Sequence, residues 1–263
     1  MAVVDLARFM EDLAAQSGQA ILPFFRAAFG MDDKTRGTAP FDPVTEADRA
    51  AELALRNLIR RTFPTHGILG EEFGDERLDA EYVWVLDPID GTRAFVAGLP
   101  TWGTLIGLTR AGTPVRGLMH QPYIGECFSG DGRNARLKGP RGERALCTRR
   151  LGTLSEAVLA TTDPRLFAEG RERDGFTALE ARVRLSRYGT DCYAYCMLAS
   201  GQIDLVVESG LKPYDIVALI PIIERAGGRV TTWTGGDASS GGDVIACGDA
   251  RLHEAALALI NKA

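Results

Sequence analysis

The sequence predicts an α/β fold in stacked layers: an α+β first half over residues 1–145 and an α/β second half over 146–263. Three observations carry that prediction. Apolar residues near the start (Val4, Leu6, Ala7, Met10, Leu13, Ala14) recur at the three- and four-residue spacing of a helix. From Trp102 to Leu137, short β-rich runs alternate with turn pairs such as Ala111-Gly112 and Asp131-Gly132. After Leu151, strand-like and helix-like segments alternate, the rhythm of an α/β unit.

Taken in order, residues 3–28 read as an amphipathic helical region with Gly18 or Pro23 as a point of kinking. Residues 30–41 read as a loop or short hairpin. A helix then runs from the Asp42–Asp48 segment to about Arg61, with Thr45 as N-cap and Asp48 three residues on. Its expected buried stripe is Ala47, Ala50, Ala51, Ala54 and Leu58. The short apolar run His66–Gly70 delivers Glu71-Glu72, and a polar segment, Gly74–Glu81, leads to a strand at Tyr82–Leu86. Asp87-Pro88-Ile89-Asp90-Gly91-Thr92 follows as a turn, since Pro88 excludes helix at Asp87 and Gly91 frees the backbone. A short helix starts at Arg93 and stops at Gly98. Strands are expected at Thr104–Thr109, Val115–His120, Glu126–Ser129 and Asn134–Leu137, in a largely antiparallel meander. The second half reads as strands at Val158–Thr161, Val183–Ser186, Ile203–Val207, Val230–Trp233 and Val244–Cys247. Its helices are Arg165–Gly170, Phe176–Ala181, Asp191–Ser200, Tyr214–Ala226 and Arg251–Asn261.

With 45% apolar and 25% charged residues, the 263-residue chain has ample material for a core, as one large domain or two packed halves. The net charge of −5 is spread without a basic face, which argues against a nucleic-acid partner. No stretch is apolar enough to cross a membrane and the first residues carry no secretory pattern, so the expected location is the cytoplasm. The five cysteines are irregularly spaced without neighbouring histidines; they read as reduced thiols, mostly buried, rather than zinc ligands.

Acids recur where elements begin or end: Asp48, Glu71 with Glu72, Asp87 with Asp90, and Asp215. Any one of them alone reads as a helix cap or surface group. Converging, they would form an all-oxygen site suited to magnesium or manganese. Together, the segments Asp-Pro-Val-Thr-Glu-Ala-Asp (42–48), Gly-Glu-Glu (70–72), Asp-Pro-Ile-Asp-Gly-Thr (87–92) and Lys-Pro-Tyr-Asp…Ala-Gly-Gly (212–228) resemble the inositol monophosphatase family of magnesium-dependent phosphatases. The resemblance runs from the first helix to the last.

It implies a layered αβαβα sandwich and two to three Mg²⁺ ions, with Mn²⁺ as a possible substitute. Their ligands would be Glu71, Asp87, the Ile89 carbonyl, Asp90 and Asp215, with Asp87 bridging. Catalytic roles fall to Glu71, Thr92 and Asp48, the last two positioning the attacking water, and Gly91 and Thr92 would receive the phosphate. The partner is a small phosphate monoester, and a homodimer is common in the family. Substrate contacts fall to Thr190, Asp191, Glu208, Asp215 and Arg93. Thr92-Arg93-Ala94-Phe95, Gly98–Gly103, Asp191–Tyr195 and Gly210–Asp215 look like the histidinol-phosphatase branch, whose product carries an amine and an imidazole. An acidic pocket from Asp191 and Glu208 suits such a group. Asp191 also reads as a helix cap, and Arg93 as either a substrate contact or the partner of a nearby acid. Trp102 reads as core, and His66, His120 and His253 as structural. Inositol 1-phosphate, sugar phosphates and nucleotide phosphates are the competing substrates. A regulatory homologue without turnover is the competing class, and its mark would be a missing ligand carboxylate.

Overall fold

A helix buries one stripe and a strand buries alternate residues, so this chain must cover two sheets with helices. The computed structural model describes residues 5–27, 31–33 and 43–262. Helix α1 (Leu6–Ile21) starts on an Asp5 cap and stops before Pro23; Gly18 lies inside it, packed against His120 and Pro122. The rest of the predicted 3–28 helix is turn as far as residue 27, while residues 3, 4 and 28 lie outside the described part. Strands β1 (Met31–Asp33) and β2 (Pro43–Thr45) form a short antiparallel pair; residues 34–42 and the Thr45 side chain, the expected N-cap, are not among those described.

Helix α2 (Glu46–Thr62) buries Ala47, Asp48, Ala51, Glu52, Leu55, Arg56 and Ile59. Of the predicted stripe, Ala47 and Ala51 are buried, Ala54 and Leu58 are half-buried and Ala50 is exposed, because Glu52 and Arg56 go inward as an ion pair. Strands β3 (Gly67–Gly70) and β4 (Gly74–Glu76) follow, then β5 (Tyr82–Asp90). The expected turn after Leu86 is instead a continuation of β5: Asp87 pairs with Leu105 and Asp90 with Gly103, leaving one extra residue as a bulge. Gly91, at φ 86°, then turns the chain into helix α3 (Thr92–Val96).

Four antiparallel strands complete the meander, β6 (Gly103–Arg110), β7 (Thr113–Gln121), β8 (Glu126–Gly130) and β9 (Ala135–Gly139), with β10 (Gly142–Ala145) as an edge strand beyond the predicted set. The eight-stranded order is β10-β9-β8-β7-β6-β5-β3-β4, with only β3 and β5 parallel.

The second sheet is mixed. Strand β11 (Val158–Thr161) runs parallel to β12 (Leu185–Tyr188) and to β13 (Leu205–Leu211), while β15 (Gly242–Cys247) is antiparallel to both β13 and β14 (Arg229–Thr232). The expected 165–170 helix is replaced by a single 3₁₀ turn, Pro164–Leu166, which overlaps only its start; the regular helix α4 starts at Arg171 and ends at Glu180. Helix α5 spans Asp191–Ala199. The expected helix over 214–226 breaks into α6 (Pro213–Ile216) and α7 (Leu219–Arg225), and α8 (Ala250–Ile260) closes the chain.

The layers are α1 and α2, the first sheet, α5 and α7, the second sheet, then α4 and α8, an αβαβα order. Three of the five cysteines, Cys192, Cys196 and Cys247, are buried, Cys147 is exposed, and all are free. The middle helices are shared, since Leu105, Met119 and Phe128 of the first sheet pack with Cys196, Ile222 and Val244 in one cluster. Glycines allow this close approach: a Cβ on Gly117 would lie 1.8 Å from the Ala218 carbonyl oxygen. Gly117→Ala is therefore expected to lower stability by about 3 kcal/mol in urea unfolding. Gly132→Ala, where a Cβ meets nothing within 4 Å, should stay within about 0.5 kcal/mol of the parent.

Candidate metal and phosphate site

The bulge in β5 sets the site. Its two residues, Pro88 and Ile89, are held from both sides: Thr104 Oγ1 donates to the Pro88 carbonyl (2.8 Å) and Thr92 Oγ1 donates to the Ile89 carbonyl (3.1 Å). The Ile89 side chain is fully buried with Phe95, Trp102 and Phe25. With Ile89 anchored in the core, Asp87 and Asp90 both reach one cleft, joined there by Asp215 from the first turn of α6. Oxygens of these three carboxylates all lie within 4.8 Å of one another.

Asp87 is 2% exposed, and its Oδ1 has no hydrogen-bond partner. Desolvation holds its pKa well above the ordinary carboxylate range, reinforced by the charges of Glu71, Asp90, Asp215 and Asp48. Asp90 is raised by desolvation and then by Asp215 and Asp191, although the Cys192 N–H donates to its Oδ2 at 2.7 Å. The two shifts thus share an origin, loss of water first and neighbouring carboxylates second. Asp215 Oδ2 accepts the Lys212 N–H (2.6 Å), a bond that caps the first turn of α6. Several like charges gathered with little water need a counter-charge. A buried carboxylate oxygen without a donor, in an all-oxygen set, fits a hard divalent cation.

The opposite wall comes from the second half. Strand β13 is also bulged, with Glu208 opposite Val244 and Leu211 opposite Gly242, and Ser209 and Gly210 at the irregularity line the cleft. Glu208 is 5% exposed. It accepts from the Thr162 N–H (2.6 Å), Thr162 Oγ1 (2.9 Å) and Thr161 Oγ1 (3.2 Å). Burial pushes its carboxyl up to about 8 against those bonds. Asp191 is raised to about 6 by burial, with the Arg93 guanidinium pulling the other way. Its backbone sits at φ 43°, unusual for a non-glycine residue. It does not cap α5: the cap position is Thr190, which makes no side-chain capping bond. Instead Asp191 packs on Gly91, where an added Cβ would come within 3.0 Å of the Asp191 Cβ.

Glu71, Asp87, Ile89, Asp90, Gly91, Thr92, Arg93, Asp191, Glu208 and Asp215 therefore all line one cleft. Asp48 and Thr190 do not. Asp48 is buried behind the cleft, close enough for its charge to raise Asp87, and the buried Thr190 hydroxyl has no partner. Trp102 is fully buried in the core. His66, His120 and His253 lie outside the cleft, bonded to Trp84, Ala14 and Thr231. Thr162, Leu166 and Ser209 line the cleft without having been singled out in the sequence. The only signal for Thr162 was its place at the end of strand β11, and nothing marked Ser209.

A sequence profile of the inositol monophosphatase family matches residues 3–263. Among curated proteins, the bifunctional phosphatase IMPL2, chloroplastic, of Arabidopsis thaliana is 45% identical over 257 residues, covering 93% of this chain and 72% of that protein. A histidinol-phosphatase of Mycobacterium tuberculosis is 35% identical over 241 residues, covering 90% of this chain and 92% of the relative. Among solved structures, an inositol monophosphatase from Zymomonas mobilis superposes with a TM-score of 0.86 at 41% identity, covering 97% of this chain and 96% of that one. The family is generally metal-dependent and acts on small phosphate monoesters.

The Glu208 shift fixes a pH dependence. Between its ordinary value of 4.5 and about 8, the folded state keeps a proton that the unfolded state has lost. Its contribution to stability is therefore complete below 4.5 and falls as pH rises towards 8, by up to about 1.4 kcal/mol per pH unit. Glu208→Gln should remove that slope. Urea unfolding of metal-free protein from pH 5 to 8 (about three units) should show the variant gaining on the parent as pH rises; parallel curves would contradict this.

Proposed function

We propose that this chain, which belongs to the inositol monophosphatase family, is a Mg²⁺-dependent phosphomonoesterase whose substrate is L-histidinol phosphate, released as L-histidinol and phosphate. The observation that carries the substrate reading is the second acidic pair, Asp191 and Glu208, in the same cleft as Asp87, Asp90 and Asp215. A leaving group with an amine and an imidazole brings positive charge and N–H donors to these two acids, whereas a polyol brings no charge for them to neutralise. The Mycobacterium tuberculosis relative, named as a histidinol-phosphatase, supports this reading.

In this reading Glu71, Asp87, the Ile89 carbonyl, Asp90 and Asp215 hold two to three Mg²⁺ ions, for which Mn²⁺ can substitute. Bound there, such ions would supply neutralisation of the phosphoryl dianion, acidification of a water and stabilisation of the leaving oxygen. Thr92 gives its hydroxyl proton to the Ile89 carbonyl. Towards a water it can act only as an acceptor, which orients the water rather than making Thr92 a nucleophile. Asp48 backs that position from behind the cleft. The Gly91 and Thr92 backbone receives the phosphate where the chain turns out of β5. Glu208 is oriented by three donated hydrogen bonds and Asp191 by its contact with Gly91, so both carboxyls meet the leaving group in fixed positions. Arg93, which lines the cleft beside Asp191, completes the substrate side, while Thr190 lies outside the cleft.

We also propose that residues 1–145 and 146–263 act as two subdomains around this cleft, in a cytoplasmic homodimer. Among the described residues no helix is long and apolar enough to cross a membrane. The competing substrate is inositol 1-phosphate, favoured by the likeness to the Zymomonas mobilis inositol monophosphatase. A regulatory homologue without turnover would lack a ligand carboxylate, and Glu71, Asp87, Asp90 and Asp215 are all present.

Two measurements check the proposal. Asp90→Asn should keep the fold, by circular dichroism, and lose Mg²⁺-dependent phosphate release by about 100-fold or more; unchanged kinetics would contradict the metal assignment. For the substrate, kcat/KM should favour L-histidinol phosphate over inositol 1-phosphate, and Glu208→Gln should lower it about tenfold for the former only. Equal losses on both substrates would remove Glu208 from recognition of the leaving group.

A further inference from the structure

Of the two adjacent glutamates after β3, Glu71 lines the cleft, whereas the Glu72 carboxylate lies 3.7 Å from Arg49 on α2. The turn that carries them, residues 71–73, is gripped by a buried carboxylate. Glu52 on α2 is 0% exposed; its Oε2 accepts the Glu72 N–H at 2.7 Å and its Oε1 accepts the Phe73 N–H at 3.2 Å. Arg56, one helical turn on and 2% exposed, donates through Nε to Glu52 Oε1 at 2.7 Å and through Nη2 to the Gly74 carbonyl. On the other side, the Glu71 N–H donates to the Leu86 carbonyl at 3.3 Å, one residue before Asp87.

Gly70 leaves the room this needs. A Cβ there would lie 2.1 Å from Glu52 Oε1 and 2.7 Å from Arg56 Nη2. No side chain at position 70 is compatible with the Glu52 carboxylate where it stands. A buried ion pair contributes little net stability compared with apolar residues of similar volume. Here its hydrogen bonds converge on one turn, the one that carries Glu71.

We propose that Glu52, oriented by Arg56, is a positioning residue for the metal site: it clamps the Glu72 and Phe73 N–H groups directly after Glu71 and so holds the Glu71 carboxylate in the cleft. This rests on the reading of Glu71 as an ion ligand. The test uses the full chain and Mn²⁺ alone as probe, with binding followed by the electron paramagnetic resonance signal of the free ion and thermal unfolding measured without metal. Glu52→Leu combined with Arg56→Met keeps the volume filled and releases the turn. It should weaken Mn²⁺ binding about tenfold, the usual effect of losing a group that orients a ligand, as should Glu71→Gln. Gly70→Ala displaces the same carboxylate from the other side and should do likewise, which covers failure of the double variant to fold. If Glu71→Gln weakens Mn²⁺ binding but the double variant and Gly70→Ala do not, Glu52 and Arg56 are only a structural pair and the proposal is overturned. If Glu71→Gln has no effect either, the reading of Glu71 falls and the proposal with it.

Discussion

Like charges repel, and the cleft holds Asp87, Asp90 and Asp215 with carboxylate oxygens within 4.8 Å of one another. The surrounding structure serves to hold that arrangement. The bulge in β5 puts two acids of one strand on one cleft, and it persists because its residues have substitutes for the ladder bonds they give up: Thr104 for Pro88, Thr92 for Ile89. The buried Ile89 side chain sets the direction of the bulge. The third acid arrives on α6, held at its start by the Lys212 N–H.

The two halves are tied at the cleft by short, specific links. The Cys192 N–H, at the start of α5, donates to Asp90, and Gly91 lacks the side chain that would push Asp191 away. Away from the cleft, α5 and α7 form a layer that both sheets share. Both walls use the same device, a bulged strand, with β5 presenting Asp87 and Asp90 and β13 presenting Glu208 and Ser209. Bulges of this kind turn side chains out of register toward a site.

Much of this was legible in the sequence where local chemistry was decisive. The apolar periodicities placed most helices and strands, and the Asp-Pro-Ile-Asp-Gly-Thr motif marked the centre of the cleft. The failures share a cause, tertiary contacts that override local preference. Pro88 reads as the end of a strand, yet β5 continues because Thr104 supplies a donor from the neighbouring strand. The expected stripe of α2 did not include Glu52 and Arg56, which go inward; the backbone N–H of Glu72 that Glu52 binds lies twenty residues away in sequence, where no periodicity could reveal it. The helix expected over 214–226 breaks at Val217-Ala218, where the chain packs against Gly107 and Gly117. Asp191 read equally well as a cap or as a cleft residue, and the structure separates the two by putting Thr190 at the cap position and Asp191 in the cleft against Gly91.

The central claim is that these carboxylates form a cation site. The most direct test is an anomalous difference map from crystals soaked in MnCl₂ and inorganic phosphate. The account predicts Mn²⁺ peaks bounded by Asp87, Asp90 and Asp215, with phosphate beside Gly91 and Thr92. A map without Mn²⁺ among those three carboxylates would contradict it.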